Sequence, residues 1–380
     1  MKFGRKNEIK IDPLAYNFML IGESGIGKTT IIKEYCEKLA GENGYIFLET
    51  GKEDGQDAIN GINYITCDSW DDDYDETSNT MGFAAFIDDV VENKSTDWAD
   101  LKVVVVDTLD ELFFSLAEPE VIRMHNKENP NKRVKSIRAA FGGFMAGEDK
   151  AIEIVQDNLW SLKKVGVSFI VIGHTKTRNQ TDPITGEDYM QLTTNMSQRY
   201  FNALKTKVHF LGVASIDREI VKEKGKKNIV TGQVETKGVI KNETRKITFR
   251  DDNYVVDSKS RFADIVPEIP LDSDALISAI TDAIKAEQSK SGVSLEDAKK
   301  KQAKQEKELE KRVAEQEKAA KSKAAVDEVV SEIVNFFTEN KSDIDKIKPV
   351  MAEIKKRGYS KPTEIADIED AKAVLALTLV

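Results

Sequence analysis

NFMLIGESGIGKTTIIKEYCEKLA, residues 17–40, decides the fold. Its apolar start, Phe18 to Ile21, reads as a buried strand. Residues 31–40 have the spacing of an amphipathic helix, and the turn between fits G-x-x-x-x-G-K-[ST]. Glycines at 22, 25 and 27 let the backbone aim N–H groups inward without Cβ clashes, and the following helix offers its positive N-terminus to an anion. The nucleotide-binding set is therefore Gly22, Glu23, Ser24, Gly25, Ile26, Gly27, Lys28, Thr29 and Thr30. Lys28 is placed to reach the β and γ phosphates of ATP and to act in catalysis. Thr29 would give its hydroxyl to Mg2+, and Thr30 would support the loop or the α phosphate.

A magnesium site of this kind needs a carboxylate at the end of a buried strand near the loop. KVVVVD supplies Asp107 there, so the metal set is Thr29 and Asp107. An aspartate capping the helix that starts at Thr108 is the plainer role, and the two are compatible. YIFLET and NYIT, between the loop and Asp107, are strand candidates that provide enough chain to insert a strand between the loop strand and its Asp107 neighbour. Hydrolysis also needs a carboxylate to orient or activate water. Thr108, not a glutamate, follows Asp107, which leaves Glu49 at the carboxyl end of YIFLE as the candidate and Glu53 as its reserve. SFIVIGHTKTR ends a further apolar strand at His174, where an imidazole can contact the γ phosphate or the attacking water. His125 and His209 are not grouped with cysteines or carboxylates at ligand spacing, so no zinc site is expected.

The 380 residues, 40% hydrophobic and 32% charged, allow a large core and more than one domain. No run approaches a membrane span or a signal-peptide core, so a cytoplasmic protein with no membrane partner is expected. Cys36 and Cys67 are the only cysteines and read as packing residues. Apolar β-branched runs alternate with helical stretches over the first 215 or so residues, the pattern of a mainly parallel α/β sheet. From Ser215 onward, short strands broken by Gly, Asn and Lys turns suggest antiparallel hairpins at the sheet edge. We set the boundaries at 1–267 for the nucleotide-binding domain, 268–325 for a charged helical linker, and 326–380 for a small helical tail domain. The tail carries Val326, Val330, Ile333 and Phe337 at helical spacing. A coiled coil would need an a/d seam that Leu295, Leu309 and Val313 do not sustain.

With the loop, VVVVDT, His174 and LWSLKKVGVSFIVIGHTKTR in place, the chain resembles phage AAA-domain P-loop ATPases related to the RecA-like recombinase core. The resemblance covers roughly residues 14–265. AAFGGFMAGEDKAIEIVQDNLWSLKKVG, DPITGEDYMQLTTNMSQRYFNALKTKVHFLGVA and KITFRDDNYVVDSKSRF are also similar to that family. It implies a RecA-like P-loop NTPase core, a Mg2+-dependent ATPase, self-association into a ring or filament, and action on DNA in recombination or replication, with single-strand annealing as in some relatives. It also implies an ATP site completed by a neighbour's basic finger, for which Lys176 and Arg178 are placed. Many RecA-like proteins end the second strand with Asp-x-Glu. Here Glu49, Thr50 and Gly51 stand in those places, so the catalytic glutamate position holds glycine.

The net charge of −10 excludes a uniformly basic nucleic-acid binder but not local patches. In RMHNKENPNKRVKSIR, residues 123–138, the cations face only Glu128, and Lys132, Arg133, Lys135 and Arg138 are the DNA-binding candidates. The segment 205–250 is also cation-rich. Tyr189, Tyr200 and Phe201 are the stacking candidates for sequence-independent binding of single-stranded DNA. A nucleotide-switched regulatory protein whose helical tail recruits a protein partner is the alternative reading.

Overall fold

The computed structural model describes residues 8–51, 55–182, 184–227, 234–250 and 256–378. In chain order, β1 (Phe18–Gly22), α1 (Lys28–Ala40), β2 (Tyr45–Thr50), β3 (Tyr64–Cys67), α2 (Phe83–Glu92) and β4 (Val103–Asp107) come first. A three-residue α3 (Leu109–Glu111) then runs through a π-helical turn (Leu112–Ala117) into α4 (Glu118–Glu128), followed by α5 (Ala146–Lys164), β5 (Ser168–Thr181), β6 (Asp188–Thr194) and α6 (Gln198–Lys205). β7 (Phe210–Lys227), β8 (Val234–Thr248), β9 (Lys259–Ser260), β10 (Glu268–Pro270), α7 (Ser273–Ser289), α8 (Leu295–Glu339), α9 (Ile344–Lys356) and α10 (Ile368–Ala376) complete the chain.

The central sheet has the order β10-β8-β7-β1-β5-β4-β2-β3, parallel from β7 to β3 and antiparallel at the β7–β8–β10 edge. Strand alternation sends its residues into two cores. Met19, Ile21, Val104, Val106, Phe169 and Val171 face the side covered by α2, α4 and α5, while Phe18, Leu20, Val103, Val105, Ile170 and Ile172 face α1 and α7. Because both faces are covered, the central strands are apolar at nearly every position, as the sequence anticipates.

One expectation is corrected here. The strand inserted between β1 and the Asp107 strand β4 is β5, which comes after Asp107 in the chain, whereas β2 and β3 lie on the far side of β4. Residues 168–173 of β5 are all buried, which suits the middle of the sheet, while β3 alternates buried and half-buried positions, as an edge strand does. The expected antiparallel edge is present, and its β7 and β8 strands are long, with irregularities at Glu219/Ile220 and Lys224/Lys227.

The chain divides into two compact units, residues 1–307 and 308–380. Packing in the first unit continues past Pro267. Leu276, Ala279, Ile280, Ala283 and Ile284 of α7 join the core beneath α1, and Lys38 and Glu34 of α1 bond to Asp274 and Ser273. The second unit has its own small core of Val326, Val330 and Ile333 from α8 with Val350, Ile354, Ile365, Ala371 and Val374. Among the described residues no helix is long and apolar enough to cross a membrane.

Candidate nucleotide site

Three glycines shape the loop between β1 and α1 for different reasons. Gly25 and Gly27 have φ of 72° and 107°, where a side chain would strain the backbone. At Gly22 a Cβ would lie 2.9 Å from Ala214 of neighbouring β7, so glycine there permits close strand packing. The N-terminus of α1 has no side-chain cap, which leaves its first N–H groups for a ligand. Lys28 is 6% exposed, and its Nζ donates to the carbonyls of Gly22 and Glu23 at 3.1 and 3.0 Å. The ammonium thus curls over the loop whose phosphates it would meet. From the β7–β8 ribbon, Arg245 Nη1 donates to the carbonyl of Ile26 at 3.1 Å.

Asp107, 4% exposed, ends β4 beside this loop. Its Oδ2 accepts from Thr29 Oγ1 at 2.7 Å and from Gln56 Nε2 at 3.1 Å. Thr108 caps the next helix through its backbone without a side-chain hydrogen bond, so the Asp107 carboxylate serves the loop instead of the helix start. Burial pushes the Asp107 carboxyl above its ordinary range, while the Thr29 hydrogen bond and the charge of Lys28 pull it back.

Glu49 pairs in register with Asp107 across β2 and β4, so both side chains leave the same sheet face. It is 4% exposed and accepts from Thr66 Oγ1 at 3.1 Å and from the Gln56 backbone N–H at 3.4 Å. Gln56 therefore touches both carboxylates. Sequence reasoning missed it, because an isolated glutamine in a turn carries no motif. Glu53, the reserve candidate, lies outside the described residues.

His174 aligns with Gly22 across β5 and β1. Its Nδ1 lies 2.8 Å from Asp110 Oδ2, and its backbone N–H donates to Asp110 Oδ1 at 3.2 Å. Burial would raise the Asp110 carboxyl, but the hydrogen bond and charge of His174 outweigh it and hold Asp110 below the usual carboxylate range. An ionised Asp110 makes Nδ1 the protonated nitrogen of this contact. Among the described residues, Gln56 Oε1, Thr108 Oγ1 and Thr175 Oγ1 are buried side-chain atoms without a hydrogen-bond partner, and each belongs to a site residue or to its chain neighbour. Buried polar atoms left unpaired are costly, and Gln56, bonded to both Asp107 and Glu49, is the one of these set directly beside the loop.

The other expected residues separate. Lys132, Arg133, Lys135 and Arg138 are exposed, and among the described residues none is in an ion pair. Arg123, by contrast, is held by Glu120 and Asp71, which corrects the reading that its segment meets only Glu128. Of the aromatic candidates, Tyr200 and Phe201 are buried. Tyr200 stacks on Phe113 at a centroid distance of 4.4 Å and donates to Glu118, so neither ring is open to a base. The Arg178 guanidinium is occupied by the carbonyls of Thr194 and Met196, while Lys176 is exposed.

After the basic segment comes the FGGFM turn, part of the AAFGGFMAGEDK stretch that carries the family resemblance. Phe141, Gly142, Gly143, Phe144 and Met145 all have positive φ, between 48° and 94°. For the three side-chain-bearing residues this costs roughly 1–2 kcal/mol each. Strain of this kind collects at functional sites.

A glycine-rich loop between a parallel strand and a helix, with its Lys and Thr set against a strand-end aspartate across one inserted strand, defines a P-loop nucleotide-binding protein. The chain belongs to the AAA domain family, whose profile matches residues 14–262. Among solved structures it is similar to the flagellar accessory protein FlaH from Methanocaldococcus jannaschii, at 9% identity over 65% of this chain and 83% of that one. The TM-score is 0.27. No curated protein matches the chain.

Proposed function

We propose that the protein binds ATP with Mg2+ at the Gly22–Thr30 loop, hydrolyses it, and uses the cycle on single-stranded DNA in recombination or replication. The carrying observation is the hydrogen-bonded row Thr29–Asp107–Gln56–Glu49 beside the loop. Thr29 and Asp107 fit Mg2+, since a hydroxyl and a carboxylate 2.7 Å apart are oxygen donors of the type it takes. When bound, the ion neutralises charge on the β and γ phosphate oxygens. Lys28 leaves the carbonyls of Gly22 and Glu23 for those phosphates. Glu49 accepts a proton from the attacking water as the water oxygen bonds to the γ phosphorus and the bond from that phosphorus to the ADP oxygen breaks. His174, anchored by Asp110, senses the γ phosphate or the attacking water.

The DNA reading is supported by Lys132, Arg133, Lys135 and Arg138, exposed cations suited to a phosphate chain. Self-association into a ring or filament belongs to the same proposal, with Lys176 as the basic residue offered to a neighbour's site.

ATP turnover with and without a thirty-nucleotide deoxythymidine strand tests this reading. Turnover that needs Mg2+ and rises with the strand supports it. Turnover indifferent to the strand, from protein that does not bind it at low salt, leaves a nucleotide-switched partner protein instead.

A further inference from the structure

The FGGFM turn, residues 141–145, places one aromatic ring entirely in solvent. Phe144 is 103% exposed, and Met145 beside it is half exposed. Isolated exposed apolar residues are ordinary, but this one sits on a turn fixed at both ends. His125 Nδ1 accepts from the Phe141 backbone N–H at 3.0 Å, so its Nε2 carries the hydrogen and donates to the Lys132 carbonyl at 3.2 Å. One buried imidazole therefore ties the aromatic turn to the basic turn. On the other side Arg199 donates to Met145 Sδ at 3.2 Å. Asn126 exchanges two hydrogen bonds with the backbone of Val134, in the middle of the cationic run.

We propose that Phe144 is a base-stacking platform for a single-stranded nucleic acid whose phosphates are held by Lys132, Arg133, Lys135 and Arg138. The inference rests on the DNA reading above and adds its base-contacting residue. A phosphate chain explains four exposed cations that, among the described residues, are in no ion pair, and an unstacked base explains a bare ring on the turn tied to them through His125. Bases in a duplex already stack on one another, so the ring selects single strands. A phenyl face stacks on any base, which makes the contact independent of sequence. Bonds at Phe141 and Met145 hold the turn that carries the ring, which lowers the cost of ordering it on a base.

Equilibrium binding at low salt, with ATP and Mg2+, to a thirty-nucleotide deoxythymidine strand and to an abasic deoxyribose-phosphate chain of equal length tests it. Phe144→Ala is expected to weaken deoxythymidine binding about tenfold, with abasic-chain binding and the salt dependence unchanged. Phe144→Trp is expected to keep the affinity and to show indole quenching with deoxythymidine but not with the abasic chain. Wild-type protein that binds the strand no better than Phe144→Ala overturns the platform alone. Wild-type protein that binds neither polymer overturns the DNA reading and the platform together. Binding of wild-type but not Phe144→Ala to anionic phospholipid vesicles, with the strand ignored, overturns it in favour of a lipid surface.

Discussion

The Glu111 side chain fills the space that a side chain at Gly51 would need. A Cβ at residue 51 would lie 2.7 Å from Glu111 Oε2 and 2.9 Å from Glu111 Cβ, and Gly51 has φ of 83°. The position where many RecA-like proteins carry a catalytic glutamate is thus closed to any side chain of its own. Two acidic groups border it, Glu49 in register with Asp107 and Glu111 on the turn after β4.

The proposed chemistry assigns the proton to Glu49. Glu49→Gln keeps the shape and the Thr66 contact but removes the proton acceptor, so kcat should fall roughly 10²–10⁴-fold with ATP affinity within about twofold of wild type. Glu111→Gln should change kcat by less than about fivefold, because Glu111 Oε2 is already bonded to Ser115. Single-turnover kinetics of both variants check this, and the opposite ranking would move the base to Glu111.

The first unit should be separable only downstream of α7. A chain ending at Lys307 keeps Leu276, Ile280 and Ile284 in the core beneath α1 and should melt cooperatively with ATP binding intact. A chain ending at Pro270 bares that core. Loss of these side chains costs about 2–5 kcal/mol each, so it should be insoluble or melt far lower. Circular dichroism melts of the two proteins decide the point, and equal midpoints would show that α7 is dispensable.

These results separate what the sequence discloses from what it hides. Strand and helix periodicity, the Gly22–Thr30 motif and the strand-end Asp107 are local patterns, and each falls where local physics puts it. His174 ends only the parallel pairing with β1, because β5 runs on to Thr181 against β6. The order of strands is not local, and β5 enters the centre because both faces of its residues 168–173 are buried. Gln56 and Glu111 reach the site through space from turns without a motif. The polar spacing of Tyr200 and Phe201 concealed that both rings join the core, Tyr200 stacked on Phe113, while Phe144 stands bare on a turn of five successive positive-φ residues. α7 looked like the start of a linker because its apolar stripe is short and charged helix follows it.

Acid should loosen the first unit through His209. Burial and the nearby charges of Lys163 and Arg261 push its imidazole down to about 4, and its Nδ1 accepts from the Asn17 backbone N–H at 3.2 Å. The unfolded chain takes up that proton near pH 6.5, where the folded one does not, so more protons are bound in the unfolded state between those values. Stability from this group is full above pH 6.5 and is lost as the pH falls towards 4. His209→Asn, which keeps an acceptor for Asn17, should lower Tm at pH 7.5 but flatten its fall between pH 6.5 and 4.5. Parallel pH profiles for both proteins would assign the acid sensitivity elsewhere.

The central claim is that Lys28, Thr29 and Asp107 make a Mg2+-ATP site, and equilibrium titration with ATP in the presence and absence of Mg2+ tests it most directly. Wild-type protein should bind ATP more tightly with Mg2+. Thr29→Ala should retain the metal-free affinity and lose most of the Mg2+ gain. Lys28→Ala should lose about 10–100-fold in affinity, the range for removing a charge-assisted hydrogen bond, with a modest fall in Tm from the loop contacts to Gly22 and Glu23. Affinities for Mg2+-ATP that match wild type in both variants would contradict the account.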